Sequence, residues 1–330
     1  LARLAASYAK CAACPHRFDA GALPVRVVNT PPMSPGQGPK ALVRSECGYR
    51  GVYVNQWNRN EGLVWAAAFA ALLWNDEAPL VTLRTSIASS GALSLEQPIS
   101  RRRHRPTVVI GYDERPASPD ILTGVALGLK RMSCQVIDVG LTTPPCLAFA
   151  VHHLGADAGL HVTGAGCDPG WTGLDACLRH GLPPADGFLD RWQALRHAAV
   201  ARPSRASGSL RAFPAAIPYE ANLWKHFHAL RPLRVVCGSS SPHLRARLER
   251  LFGRLPGRLH PVPLPVRRRN LDDPRDADVE RVGAAAREQR AHVGLVIDDD
   301  AMTCGMVDEQ GRLVPSARLH ALIVQQTLRE

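Results

Sequence analysis

The chain has 330 residues, 45% hydrophobic and 21% charged, which excludes a disordered, collagenous or coiled-coil polymer. At about 150 residues per domain the length predicts roughly two domains, each with its own core. The net charge of +11 invites a nucleic-acid reading, but the lysines are only Lys10, Lys40, Lys130 and Lys225 and the arginines are scattered. The runs Arg101 to Arg105 (with His104) and Arg267 to Arg269 are short and lack interleaved aromatics, so no nucleic-acid partner is expected. The longest apolar stretch, Leu63 to Trp74, falls short of the ~20 residues that span a bilayer and predicts a buried helix. With no secretory leader pattern either, the expectation is a cytoplasmic protein without a membrane partner.

Residues 1–45 form an extension. A short helix leads into Cys11-x-x-Cys14-x-His16, three zinc-competent ligands within six residues. A structural zinc needs a fourth ligand, for which Cys47 is the nearest candidate; the alternative is a frayed segment with two free thiols. The nine cysteines show no disulfide rhythm and are expected to be free thiols in a reducing compartment. Thr30 to Pro39, rich in proline and glycine, predicts a linker. Then come a strand over Arg50 to Val54, a helix over Glu61 to Trp74 and loop up to Arg105. Thr107 to Gly111 predicts a buried strand, Pro119 to Met132 a helix with proline in its first turn, and Cys134 to Gly140 a second strand. Leu147 to Leu154 predicts a helix and Ala158 to Thr163 a third strand. Strand–helix–strand–helix–strand with short connections argues a parallel sheet covered on both faces. Such sheets bind ligands at the carboxyl ends of their strands, which directs attention to the loop after Thr163.

A break over Ala201 to Pro218 separates a second α/β unit. It comprises a helix near Tyr219 to Leu230, a strand Leu233 to Cys237 and a helix Pro242 to Leu251. A helix Asp276 to Gln289 and a strand Val293 to Ile297 follow, with Asp298-Asp299-Asp300 at the strand's end. The loop Cys237 to His243 either cradles an anion at a helix N-terminus or is capped by Ser241 ahead of Pro242. The organisation expected is an extension (1–45), two α/β domains (46–200 and 215–315) and the start of a further unit (316–330).

Several of these segments together carry a resemblance. Val109 to Ser118, Val139 to Pro144 and His153 to Gly159 resemble strand–loop motifs of the α-D-phosphohexomutase superfamily, the phosphomannomutase/phosphoglucomutase enzymes. Cys47-Gly48-Tyr49-Arg50-Gly51 resembles the family's N-terminal Tyr-Asp-Ile-Arg-Gly segment and keeps its Arg-Gly. Ile297 to Ala301, followed by Cys304 to Leu313, resembles the metal loop and its hairpin. The resemblance covers about residues 44 to 330. It implies two consecutive phosphohexomutase-like α/β domains with mixed or parallel sheets, domains I and II of the family, behind the Cys/His extension. It also implies intramolecular phosphoryl transfer on hexose phosphates, with Mg²⁺ as cofactor.

The same comparison shows departures. The family's phosphoserine loop reads Thr-Ala-Ser-His-Asn-Pro; here Thr163-Gly164-Ala165-Gly166-Cys167-Asp168 takes its place, with Gly173 setting the register. Ala165 stands at the phosphoserine position and a methyl group cannot carry phosphate. Cys167 is a conceivable nucleophile, with a free loop thiol as the alternative. The metal loop Asp-Gly-Asp-Ala-Asp-Arg appears as Asp298-Asp299-Asp300-Ala301-Met302-Thr303. Methionine is a poor ligand for hard Mg²⁺, so Asp298 and Asp300 are expected to hold the ion only weakly. On an extended backbone Asp299 points to the opposite face. Three adjacent carboxylates call for a cation, for solvent screening or for a raised pKa. Arg50, Asp113 and Arg115 are expected to position the loop around residue 165. The resemblance implies third and fourth domains that complete the substrate site, and these are expected to be missing, with residues 316–330 as the start of the third. The reading is therefore a catalytically inactive relative that keeps at most weak binding of a phosphorylated hexose or a divalent ion and serves interaction or regulation, with the protein partner unknown. An active mutase completed by a partner chain, and a zinc-dependent binding module, are the alternatives.

Overall fold

The computed structural model describes residues 42–75, 105–198, 202–203, 205–227 and 231–328. Cys11, Cys14, His16 and the expected linker lie outside these residues. The first unit runs β1 (Val43–Arg44), β2 (Gly48–Val52), α1 (Arg59–Asn75), β3 (Thr107–Tyr112), α2 (Ser118–Arg131), β4 (Gln135–Leu141) and α3 (Pro144–His153). It continues with β5 (Ala158–Val162), β6 (Trp171–Leu178), α4 (Phe188–Arg196), β7 (Ser209–Ala212) and α5 (Ala216–Trp224). The second runs β8 (Arg234–Ser239), α6 (Pro242–Phe252), β9 (Arg258–Pro263), α7 (Ala277–Glu288), β10 (Val293–Ile297), β11 (Cys304–Val307), β12 (Leu313–Val314) and α8 (Ser316–Thr327).

The strands make two sheets, ordered β1-β2-β6-β5-β3-β4-β7 and β12-β11-β10-β8-β9. In the first, β3 pairs in parallel with both β4 and β5, and β4 with β7. The sheet is mixed rather than wholly parallel, because β6 returns antiparallel to β5 and β2 pairs antiparallel with β6. In the second, β8 is parallel to β9 and β10, and the β11 hairpin arm is antiparallel.

Burial follows the apolar pattern. Val108, Ile110 and Leu160 face a core shared with Ile121, Val125 and Leu129 of α2, and with Trp65 and Phe69 of α1. Val109 and Ile137 face the other way, onto Leu147, Ala150 and Val151 of α3. The expected buried helix is α1, whose Trp65 stacks against Trp57 and meets Trp192 edge-on, ring centroids 5.6 and 5.2 Å away. Helices α1 and α2 approach closely because Gly124 has no side chain: a Cβ there would lie 1.9 Å from the Arg59 carbonyl oxygen.

Where element ends differ from expectation, local chemistry explains it. The strand expected to reach Val54 stops at Val52, since Val54 adopts φ 73° in a turn. Helix α3 starts at Pro144, as proline suits a first helical turn. Strands β1, β6, β7 and β9 go beyond the sequence reading. β7 lies inside the expected break; an edge strand with all four residues exposed carries no apolar alternation. β9 contains two prolines, tolerated because it is also an edge.

Candidate functional site

The carboxyl ends of four parallel strands converge: β3 leads into Asp113–Ala117, β5 into Thr163–Gly170, β8 into Ser240–Ser241 and β10 into Asp298–Thr303. A small cavity of about 20 Å³, enough for a single water, is lined among others by Asp113, Glu114, Thr142, His161, Ser241 and Asp299.

Thr163–Gly170 is a tight turn. Ala165 N–H donates to Thr163 Oγ1 at 3.0 Å and Cys167 N–H to the Gly164 carbonyl at 3.1 Å. Gly164 N–H donates to Asp113 Oδ2 at 2.9 Å, tying this loop to the β3 loop. A Cβ on Gly164 would lie 2.1 Å from the Trp171 carbonyl oxygen, so the close approach requires glycine. Half-buried Ala165 presents only a methyl group at the centre of this turn. The Cys167 thiol is pushed up by burial, which outweighs the opposing pull of Arg50 and Arg115; that keeps it largely protonated at neutral pH.

Arg115, 8% exposed, holds the loop from below. Its Nη1 donates to the carbonyls of Asp168 (2.7 Å) and Trp171 (3.2 Å), and its Nη2 to that of Cys167 (2.9 Å) and to Asp299 Oδ2 (3.1 Å). Asp113 also accepts from the Arg115 backbone N–H at 3.1 Å. Arg50 sits elsewhere in this arrangement: its guanidinium makes a two-bond pair with Asp175 of β6 rather than hydrogen bonds to the loop.

Asp298–Asp299–Asp300 departs from the extended geometry. Asp298 N–H donates to the Thr303 carbonyl, and Ala301 adopts φ 59° in the turn. Asp298 and Asp299 therefore do not point to opposite faces. Their Oδ1 atoms accept from the same nitrogen, Arg269 Nη1, at 2.5 and 2.8 Å. Ser240 Oγ donates to Asp299 Oδ1 at 3.3 Å. Burial and the neighbouring Asp299 carboxyl push Asp298 up to about 7, and burial raises Asp300 as well. Met302, at the family's third ligand position, is 61% exposed. Among the described residues no three His, Cys, Asp or Glu side chains are grouped to hold a metal ion. A guanidinium already bonded to Asp298 and Asp299 does not fit the divalent cation that the resemblance implies, while Asp300, the other expected ligand, accepts from the Met302 N–H.

The Cys237–His243 loop settles between its two readings in an unexpected way. Ser241 Oγ accepts from Leu244 N–H at 3.0 Å, a plain helix cap. An anion is present too, from the protein itself: the Glu114 carboxylate accepts from His243 N–H at 2.7 Å and from the Ser241 hydroxyl. Sequence reasoning missed Glu114, Arg269, Asp175 and His161. The only signal for Arg269 was an arginine run close to Asp276 and Asp278.

Residues 76–191 match the phosphoglucomutase/phosphomannomutase family, α/β/α domain I. Phosphoglucosamine mutase of Symbiobacterium thermophilum is 29% identical over 223 residues, 65% of this chain and 49% of that protein. Phosphomannomutase of Salmonella typhimurium is 27% identical over 245 residues, 67% of this chain and 52% of that protein. The chain is thus similar to the phosphoglucomutase/phosphomannomutase family, through domain I over residues 76–191. A Burkholderia thailandensis protein of the same family shares the fold with a TM-score of 0.67 at 20% identity, covering 86% of this chain and 58% of its own. The chain thus spans about half the length of the curated relatives it matches. Among the described residues no helix is long and apolar enough to cross a membrane.

Proposed function

We propose that this chain is a phosphohexomutase-like protein of carbohydrate metabolism that relays no phosphate through residue 165. The observation that carries the reading is Ala165, a methyl group where the relatives' phosphoryl carrier stands, with no hydroxyl to bond phosphorus. Nearby groups support it. Cys167 is held protonated by burial, and the Arg115 guanidinium is engaged by the carbonyls of the loop around residue 165 and by Asp299. The Asp298–Asp299 pair is engaged by Arg269. In this reading Asp113 and Arg115 are positioning residues: one receives Gly164 N–H, the other gathers the carbonyls that follow. What remains is a scaffold whose role is interaction or regulation, in the cytoplasm, where the seven described cysteines, all free thiols, are at home.

The test is a conversion assay from hexose 1-phosphate to hexose 6-phosphate with Mg²⁺ and a hexose bisphosphate, together with a search for radiolabelled phosphate on the chain. The expected result is no turnover above a protein-free control and no labelled protein. Turnover that Asp298→Ala abolishes, or a phospho-adduct on this polypeptide, would overturn the reading.

A further inference from the structure

The arginine buried against the aspartate loop has no place in the family comparison, and its surroundings are those of a bound ion. The Arg269 side chain is fully buried. Nη1 bridges Asp298 and Asp299, Nε donates to Asp278 Oδ2 at 3.1 Å and Nη2 donates to the Pro265 carbonyl at 2.6 Å. Asp278 is itself buried and receives Arg267 at 3.0 Å, while Arg267 also pairs with Asp276 at 2.5 Å. Asp276 caps α7 through the Asp278 N–H. The guanidinium is thus held at each of its nitrogens by an acceptor that is itself anchored, and the fork geometry of arginine suits several oxygens at once. On its far side, Asp299 Oδ2 faces Arg115, which belongs to the first sheet's loop.

We infer that the Arg269 guanidinium is the resident cation of the 298–300 loop. It joins the two α/β units through Asp299 and Arg115 without a divalent metal. A metal ion would have to displace a fully buried charge whose departure leaves Asp278 without its Arg269 bond, a costly state for a buried carboxylate. The inference concerns only which cation neutralises the loop; it stands or falls independently of whether residue 165 carries phosphate.

The experiment is a titration of the metal-stripped full chain with Mn²⁺, read by loss of the free-ion electron paramagnetic resonance signal, alongside thermal melts with EDTA or with millimolar Mg²⁺. Asp298→Asn serves as the control for binding elsewhere. For the wild-type chain the expected results are Mn²⁺ uptake no different from that of Asp298→Asn and melting unchanged by Mg²⁺. Arg269→Gln removes the charge. It is expected to melt lower, to regain stability with Mg²⁺, and to bind Mn²⁺ at least roughly tenfold more tightly than the wild type. One wild-type Mn²⁺ site that Asp298→Asn abolishes would overturn the inference, as would an Arg269→Gln chain with wild-type melting. Should Arg269→Gln fail to fold, the comparison of wild type with Asp298→Asn decides the matter alone.

Discussion

Replacing Arg115 by methionine tests how the loop around Ala165 is held. The substitution keeps most of the aliphatic stem and removes a guanidinium that donates to three carbonyls and one carboxylate. The carbonyls of Asp168 and Trp171 belong to exposed and half-buried residues and regain water readily. The Cys167 carbonyl belongs to a half-buried residue as well, and the Asp299 carboxylate, 12% exposed, regains water least. A hydrogen bond from a charged donor contributes about 1.5–3 kcal/mol, and an ion left without its partner adds to the loss. Counting only the poorly hydrated Asp299 carboxylate, which keeps Arg269 as a partner, Arg115→Met should destabilise by about 1.5–3 kcal/mol, a sizeable share of a typical total of 5–15 kcal/mol. Arg115→Lys keeps the charge without the fork and should lose roughly half as much. Denaturant unfolding gives the free energies, and hydrogen exchange at the amides of 164–171 localises the effect. A destabilisation below about 1 kcal/mol with unchanged exchange would refute the reasoning, because the bonds would then add nothing beyond what water supplies.

Two further outcomes follow from the same region. Gly164→Ala places a Cβ 2.1 Å from the Trp171 carbonyl, so the turn must shift; a loss above about 2 kcal/mol is expected in unfolding experiments. His161 is fully buried, its Nε2–H donating to the Thr142 carbonyl at 3.0 Å; burial lowers its pKa despite the facing carboxylates of Asp113 and Asp175, while Arg50 lowers it further. The unfolded chain then binds this proton more readily than the folded one. The histidine's contribution is complete above its unfolded pKa of about 6.5 and is lost as pH falls toward the lower folded value. Denaturation midpoints of His161→Gln should fall less steeply below that pH than those of wild type, and parallel curves would contradict the assignment.

Much of this architecture was legible from periodicity. The apolar runs at Val108–Ile110 and Val136–Ile137, and the helical spacing of Ile121, Val125 and Leu129, mark elements that bury themselves. Their side chains register the core locally, whatever lies far along the chain. The edge strands β7 and β9 escaped because an edge does not need an apolar face.

The sequence alone determined that residue 165 carries no hydroxyl, that residue 302 carries no carboxylate, and that three aspartates crowd one loop. Those are statements about which atoms exist. Which cation meets the aspartates, and which anion caps α6, only the tertiary structure decided. Arg269 lies 29 residues from Asp298, and Glu114 lies 127 residues from Ser241. Charges separated along the chain become partners only once folded strands bring their ends together. There, low polarity makes the pairing strong, whereas in water the same sequence leaves each charge to the solvent.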